Sequence, residues 1–146
     1  MKAVKQKKMI LDTETLEEAF FEDVKLFGIV SPVEPYHLIW NLNHAFNYSF
    51  ERNHEAEVQF KDIYYSVFYY ADEEKLIEHY IFANRNKTNY MIAEAKNIDF
   101  IWMMKGNIHS LFFLSQVSSL LESIQNIDYS MEINPEHLKS KQHLIV

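Results

Sequence analysis

Two aromatic strand-like segments joined by a short polar turn constrain the fold of this chain more than any other feature. Asp62–Tyr70 and Leu76–Phe82 are dominated by the β-branched and aromatic residues that favour strands. The turn between them begins Ala71-Asp72-Glu73-Glu74. A connection this short joins antiparallel neighbours, because a parallel pair needs a crossover of about a dozen residues or more. The sequence therefore predicts an antiparallel hairpin.

Segments on both sides of this hairpin predict the rest of the fold class. Apolar residues recur at helical spacing in Tyr36–Phe46 and in Ile108–Ile124, whereas residues 13–22 fit a helix or a strand equally well. Three further segments have strand-like composition or alternation: Val24–Val30, Ile98–Met104 and Ile127–Ile133. Consecutive strands between two helices predict an α+β fold, with two helices packed on one mainly antiparallel sheet.

The sequence contains few residues that break regular structure, and this favours a single domain over residues 1–146. The sequence holds only two glycines and three prolines, and no stretch has the composition of a linker. The segment Asn84–Asn89 (NRNKTN) is polar and is predicted to be a loop. Residues 1–10 hold four lysines and are expected to be a frayed terminus, whereas residues 134–146 are expected to be a tail that docks on the domain.

Composition excludes several kinds of covalent and metal chemistry and makes some binding partners less favoured. The chain has no cysteine, which excludes disulfides, thiolate metal sites and thiol nucleophiles. A net charge of −7 argues against nucleic acid as a partner. The apolar runs are far shorter than the roughly 20 residues that cross a bilayer, and no export signal follows the first lysines. We therefore expect a cytoplasmic protein without a nucleic-acid or membrane partner.

A segment near the middle of the chain carries a family resemblance. Ile92–Phe100 reads IAEAKNIDF and resembles the signature of the bacterial IPExxxVDY family. Ile92, Glu94 and Asp99 match the named positions, whereas alanine, isoleucine and phenylalanine replace the proline, valine and tyrosine of that signature. Other stretches resemble the family in the expected order: Phe27-Gly28-Ile29, Tyr36, Leu38, Trp40, Leu42, Asn43, Lys105-Gly106, Leu138-Lys139-Ser140-Lys141 and Leu144-Ile145. The resemblance implies a small cytoplasmic protein and supplies no activity, cofactor or catalytic residue.

The two acids of this segment are candidates for a structural clamp. Asp99 falls on the same face of its predicted strand as two apolar residues, and a buried carboxylate without a partner is costly. We predict that Glu94 or Asp99 pairs with Lys139 or Lys141, or accepts hydrogen bonds from backbone amides of the tail. Gly106, which follows the strand, is predicted to occupy a turn that needs positive φ. The alternative, a catalytic acid–base pair, needs a cleft that nothing in the sequence supplies.

Aromatic residues are the other candidates for function. Tyr65 and Tyr69 fall in the first strand of the predicted hairpin and Tyr80 in the second, and aromatic residues occupy both faces of the first strand. Cross-strand aromatic pairs stabilise a core, but two helices would leave part of one sheet face uncovered. An exposed tyrosine face would serve as an interface or pocket, and Trp40 and Trp102 are further candidates for it. A stacking platform for nucleic acid is less favoured, because acids outnumber bases around these strands.

No motif for metal, cofactor or covalent catalysis accompanies these residues. The seven histidines lack the short spacings of a metal site. The sequence contains neither a nucleophile elbow nor a glycine-rich nucleotide-binding loop. We therefore expect no metal, no cofactor and no catalytic residue.

These observations favour a non-enzymatic interaction or scaffold protein that uses an aromatic sheet face to dimerise or to hold a protein partner. The alternative is a small-molecule or acyl-chain binding domain with its pocket between the aromatic sheet and helix Ile108–Ile124. An enzyme that uses Glu94 and Asp99 is the least favoured hypothesis.

Overall fold

An antiparallel sheet organises the chain in a computed structural model that describes residues 14–146. The described strands, in chain order, are β1 (Val24–Val30), β2 (Glu51–Arg52), β3 (Val58–Phe60), β4 (Ile63–Tyr65), β5 (Val67–Asp72), β6 (Ile77–Ala83), β7 (Arg85–Asn86), β8 (Asn89–Tyr90), β9 (Phe100–Gly106) and β10 (Tyr129–Ile133). Six of them form the main sheet in the order β10-β1-β9-β6-β5-β2, and every neighbouring pair is antiparallel. β3 pairs with β4, and β7 with β8, in two small separate sheets.

Within residues 14–146, α-helices lie in both segments whose apolar spacing predicts a helix, and in the segment that fitted a helix or a strand. The first described helix, α1, covers residues 14–21, so the segment that fitted either structure is helical. α2 (Pro35–Phe46) begins with its proline in the first turn, where a missing N–H costs nothing. α3 (Leu111–Ser123) begins at Ser110, whose hydroxyl accepts a hydrogen bond from the Phe113 amide. With the main sheet, these helices make the predicted α+β fold.

Apolar side chains on one side of the main sheet, here called the helix face, pack against α2 and α3. Alternate residues of β9 point to this face, namely Phe100, Trp102 and Met104. Apolar residues of β1 and β6 lie beside them. α2 contributes Leu38, Ile39 and Leu42, and α3 contributes Val117 and Leu121. This layer is the main core of the protein.

The opposite side, here called the tail face, is covered mostly by irregular chain. Ile101 and Met103 of β9 point to this side. Residues 91–98, the β3–β4 hairpin and the C-terminal segment supply the cover, with Leu138 and Leu144 buried at 7% and 0% exposure. Phe20 and Phe21 of α1 pack against the same cluster. Residues 134–146 therefore pack on the domain, whereas the lysine-rich residues 1–10 lie outside the described part.

This cover makes the expectation of an open aromatic sheet face wrong. Tyr65 belongs to the covering β3–β4 hairpin and is 2% exposed, whereas Trp102 is 0% exposed in the core of the helix face, so neither can line an interface. Tyr69 and Tyr80 face each other across β5 and β6 with ring centroids 4.9 Å apart, and both are half-buried. Sequence composition could not reveal that the hairpin, the loop and the tail close this face.

Two element predictions in this region also need correction. Asp62–Tyr70 is not one strand, because it breaks at Ser66 into β4 and β5, which belong to different sheets. The predicted loop Asn84–Asn89 contains β7 and the start of β8, so it is a small hairpin. The break at Ser66 separates two hairpins, since β4 pairs with β3 and β5 with β6, and aromatic composition on both sides conceals it. The β7–β8 pairing is local, but its polar composition does not predict a strand.

The three described helices are short. None of the helices within residues 14–146 is long and apolar enough to cross a bilayer.

Candidate functional site

Asn84 at the end of β6 holds the segment that resembles the family signature. Its side-chain amide donates to the carbonyl oxygens of Ala95 and Ile98 at 3.0 and 2.8 Å. Its side-chain oxygen accepts from the Ile92 amide at 2.8 Å. Asn84 is fully buried, and these bonds satisfy its polar group inside the core. The loop therefore has a fixed shape without forming regular secondary structure.

Asp99 joins the ends of two strands. One carboxylate oxygen accepts from Arg85 Nε at 2.6 Å, and the other accepts from the Ser31 amide at 2.8 Å. The side chain of Asp99 is only 14% exposed, so this ion pair is partly shielded from water. Ser31 is buried, and its hydroxyl donates to the carbonyl oxygen of Asn126 at 2.6 Å. Asp99 thus ties β9 to the β7 hairpin and to the segment after β1.

Glu94 connects the same loop to the C-terminal segment. Its carboxylate accepts from the Ser140 amide at 2.6 Å and from the Ser140 hydroxyl at 3.0 Å. Partial burial raises the pKa of Glu94, but the hydrogen bonds from Ser140, together with those from the backbone of Glu94 and Lys139, lower it below its usual value. The contact is therefore strongest while Glu94 is ionised.

Of the clamp hypotheses, the lysine pairing is wrong. Asp99 pairs with Arg85 instead. Glu94 accepts a hydrogen bond from a backbone amide of the tail, and this confirms the alternative of backbone hydrogen bonds. Lys141 instead lies over the ring of Phe21 at 5.4 Å. The Ser140 hydroxyl that also binds Glu94 was not foreseen.

Gly106 has the positive φ that its sequence context predicts, but it is the last residue of β9, paired with Ile77, and does not lie in a turn after the strand. Its φ is +125°, and a Cβ there would lie 2.4 Å from the carbonyl oxygen of Leu76. Both the backbone angle and the close approach require glycine, so the prediction of positive φ is confirmed.

Glu94 and Asp99, the two acids of the segment that resembles the family signature, hold separate chain segments together. Each carboxylate oxygen of Asp99 and Glu94 accepts a hydrogen bond from the protein. Each of these oxygens keeps a second lone pair, but the hydrogen bonds orient both carboxylates toward segments of the protein's own chain. Within residues 14–146 no three histidine or acidic side chains converge as a metal site would require. The geometry favours a structural role for the signature.

The space predicted for an acyl-chain pocket is filled by core side chains. Ile77 and Ile108 are buried there with Val117 and Leu121 of α3, all in the core cluster of the helix face. Where the sequence predicted a pocket, apolar side chains of the sheet therefore pack against α3.

A histidine is buried in the same core, beneath α2. Trp102 Nε1 donates to His79 Nδ1 at 3.1 Å, and His79 is 0% exposed among the rings of Tyr48, Phe50 and Tyr70. Burial lowers the pKa of His79 to about 4. A proton on Nδ1 would also displace the hydrogen bond from Trp102. His79 is therefore neutral in the folded protein near pH 7.

The solvent side of α2 is the most distinctive exposed surface. Tyr36, His37, Trp40 and His44, here called the α2 aromatic face, fall within one stripe of the helix and are all exposed. Tyr36 and Trp40 are 64% and 59% exposed. The stripe contains no Asp, Glu, Lys or Arg. Trp40, singled out from the sequence as an interface residue, is thus accessible, in contrast to Tyr65 and Trp102.

Sequence reasoning missed four of the residues that organise these contacts, namely Ser31, Asn84, Arg85 and Ser140. One signal was available for Arg85, since it is one of only two arginines in the chain and Asp99 needed a partner. Asn84 and Ser31 gave no local signal, because an asparagine or serine beside a turn is ordinary. Their roles depend on long-range backbone placement.

Comparison of the chain with protein-family models and with curated proteins found no match.

Proposed function

We propose that this protein is a non-enzymatic interaction module that forms a homodimer through the α2 aromatic face. The observation that carries the proposal is the exposure of Tyr36 and Trp40, one turn apart on a helix stripe that itself holds no Asp, Glu, Lys or Arg. The charged side chain that contacts this stripe is Arg52, at the Tyr36 hydroxyl. Interface cores are enriched in tryptophan and tyrosine and depleted in charge. Large exposed apolar patches on soluble proteins usually mark such surfaces.

A second copy is the occupant that this face suits best. The protein carries a net charge of −7, so most of its surface would repel another copy. The α2 aromatic face itself has no Asp, Glu, Lys or Arg, and the charged side chain that contacts it, Arg52, is already paired with Glu57. Two copies related by a twofold axis would bring the same uncharged patch together, as isologous interfaces require.

The rings of this face are already ordered in the single chain. Trp40 and His44 stack with ring centroids 3.8 Å apart, and His44 Nδ1 lies 2.8 Å from the Trp40 carbonyl oxygen. The Tyr36 hydroxyl accepts from Arg52 Nη1 at 2.9 Å. Pre-ordered side chains lose less rotamer entropy on association, and this favours binding through these residues.

Analytical ultracentrifugation and native mass spectrometry of the wild-type chain and of Trp40→Asp test the proposal. We expect a concentration-dependent dimer for the wild type, and at least about a tenfold weaker dimer for the variant, because a desolvated charge would be buried. Tyr129→Asp is the matched control, since Tyr129 is also 59% exposed but lies on β10. This control should dimerise like the wild type.

Two outcomes would contradict the proposal. One is a wild-type monomer at every concentration up to roughly 100 μM, which is weaker than a specific dimer of ordinary size would be. The other is a dimer that Trp40→Asp leaves intact but Phe112→Asp dissociates. Phe112 is 74% exposed at the start of α3, so that result would place the interface there.

We further propose that the chain is a cytoplasmic member of the IPExxxVDY family. Support comes from the matched signature residues, since Ile92 is buried while Glu94 and Asp99 each join separate segments. A signature that maintains the fold, and not an active site, agrees with a non-enzymatic role. Sequences of the family, aligned over residues 85–100, should keep an acid at position 99 together with a basic or amide partner at position 85.

A further inference from the structure

The two edges of the main sheet differ in a way that points to a second binding surface. β2, at one edge, is two residues long. β10, at the other edge, has five residues and pairs only with β1 among the described strands. An edge strand presents unpaired backbone N–H and C=O groups that accept an added strand, unless the protein blocks them. β2 is too short to serve this purpose, whereas β10 is long enough.

A groove of about 1050 Å³ lies at the end of β10, where β1 begins. Its floor includes the apolar side chains of Phe21, Val24 and Ile133. Four glutamates line it, Glu18 and Glu22 from α1, Glu132 from β10 and Glu136 from the tail. Lys25 and Lys141 also line the groove, so its carboxylates outnumber its ammonium groups by four to two. The groove therefore combines apolar surface with an excess of negative charge next to an edge with which no strand other than β1 pairs within residues 14–146.

Most of that negative charge is not neutralised. Lys25 pairs with Glu132 at 3.1 Å, and Lys141 lies over the ring of Phe21. Within residues 14–146, the carboxylates of Glu18, Glu22 and Glu136 have no ion-pair partner. A ligand that supplied cations at this position would gain charge complementarity.

We propose that the edge of β10 and this groove bind an extended, lysine- or arginine-rich segment of another protein by strand addition. The backbone of that segment would pair with β10, and its side chains would alternate between the carboxylates and the apolar floor. A second copy of this chain supplies no such segment at its edge, because β10 (YSMEI) carries Glu132 and no Lys or Arg. The surface is separate from the α2 aromatic face.

A fluorescein-labelled peptide with the repeated sequence Lys-Val-Lys-Thr tests the proposal by fluorescence anisotropy with the full chain. We expect saturable binding that weakens as salt is added, and no binding of the matched peptide in which glutamate replaces lysine. The triple variant E18Q/E22Q/E136Q should bind at least about tenfold more weakly. E51Q/E73Q/E74Q removes the same charge from exposed glutamates outside the groove and should bind like the wild type.

Backbone pairing is tested separately from charge. Two versions of the peptide, N-methylated at odd or at even positions, differ only in which N–H groups remain. Strand addition predicts that one version loses binding and the other keeps it, because alternate N–H groups face β10. Equal binding of both versions would overturn the proposal in favour of non-specific charge attraction.

The chain's own residues 1–10 also carry four lysines. A final experiment therefore distinguishes this segment from a foreign partner as the occupant of the groove. If the peptide binds only after those lysines are replaced by glutamine, the groove belongs to this segment and the proposal of a foreign partner is overturned. Retained peptide binding by Trp40→Asp would separate this surface from the proposed dimer.

Discussion

The two faces of the main sheet achieve the same burial by different means. The helix face is closed by two regular helices and by a continuous set of aromatic rings around Trp102. The tail face is closed by a loop, a hairpin and the C-terminal segment, held by the side chains of Asn84, Asp99 and Glu94. Apolar packing therefore dominates one face, whereas a few directed polar contacts fix the cover of the other.

This difference predicts which part of the protein should unfold locally at the lowest free energy. Segments with few buried apolar residues and exposed hydrogen bonds open locally at a lower free energy than the packed core. The C-terminal segment has two buried leucines and one exposed carboxylate contact to hold it. We expect it to exchange its amide protons faster than β6 and β9, which lie at the centre of the sheet.

The largest effect is expected from Trp102→Ala on the helix face. The substitution removes a fully buried ring that contacts Phe46, Tyr48 and Phe50 and donates to His79. Loss of such a side chain costs about 4 kcal/mol of unfolding free energy. Urea denaturation followed by circular dichroism measures it. A loss below about 1 kcal/mol would show that the helix face is not the main core.

Acid should weaken the helix face before the tail face, with an effect of about 3 kcal/mol. The pKa of His79 is about 4 in the folded state and about 6.5 when unfolded, so the unfolded state binds more protons between these values. The stability that neutral His79 contributes is present above pH 6.5 and falls progressively as the pH drops to about 4. Urea midpoints between pH 7.5 and 4 measure this slope.

His79→Gln is the control for that slope. Glutamine can still accept from Trp102 Nε1 but does not titrate, so the dependence on pH in this window should largely disappear. Asp72 and Lys75, which act on His79 in opposite directions, are unchanged by this variant. An unchanged slope would assign the acid sensitivity to other groups.

The smallest effect, about 1 kcal/mol, is expected from Glu94→Gln on the tail face. Hydrogen bonds to a charged group contribute more than neutral ones, but this contact is exposed to solvent and is screened. Because the pKa of Glu94 is lowered, its contribution is present above about pH 4.5 and is lost as the pH falls through the folded value. Hydrogen exchange should show faster exchange in residues 134–146 with little change in β9.

Ser140→Ala sharpens the same contrast. It removes the hydroxyl contact to Glu94 but keeps the backbone amide that donates to the other carboxylate oxygen. Its effect on exchange in the tail should be smaller than that of Glu94→Gln. If either variant lowers stability by as much as Trp102→Ala, the two faces are held together by the tail contact and the comparison fails.

Some of this architecture could be predicted from the sequence, because it depends on how apolar residues are spaced over a few positions. Phe100, Trp102 and Met104 alternate with Ile101 and Met103, and the structure places the two sets on opposite faces, as a pleated strand requires. The β5–β6 hairpin and the two predicted helices follow from turn length and apolar spacing. Gly106 was identified by its position after a predicted strand.

The candidate site was only partly predictable. The need of Asp99 for a partner followed from the cost of burying a charge, but its partner did not. Arg85 lies 14 residues away, and Ser140 lies 46 residues from Glu94. Nothing in the local sequence distinguishes these residues from other polar side chains near turns.

The sequence by itself determined the α+β class, the alternation of strand faces and the positions of α2 and α3, since these depend on sterics and apolar spacing over a few residues. Only the tertiary structure decided that Tyr65 and Trp102 are buried, that Trp40 is exposed, and that Ser140 binds Glu94. Composition shows that a residue can be buried, but the path of the chain decides which surfaces are covered. That path is set by contacts between segments distant in sequence, whose energies no local pattern records.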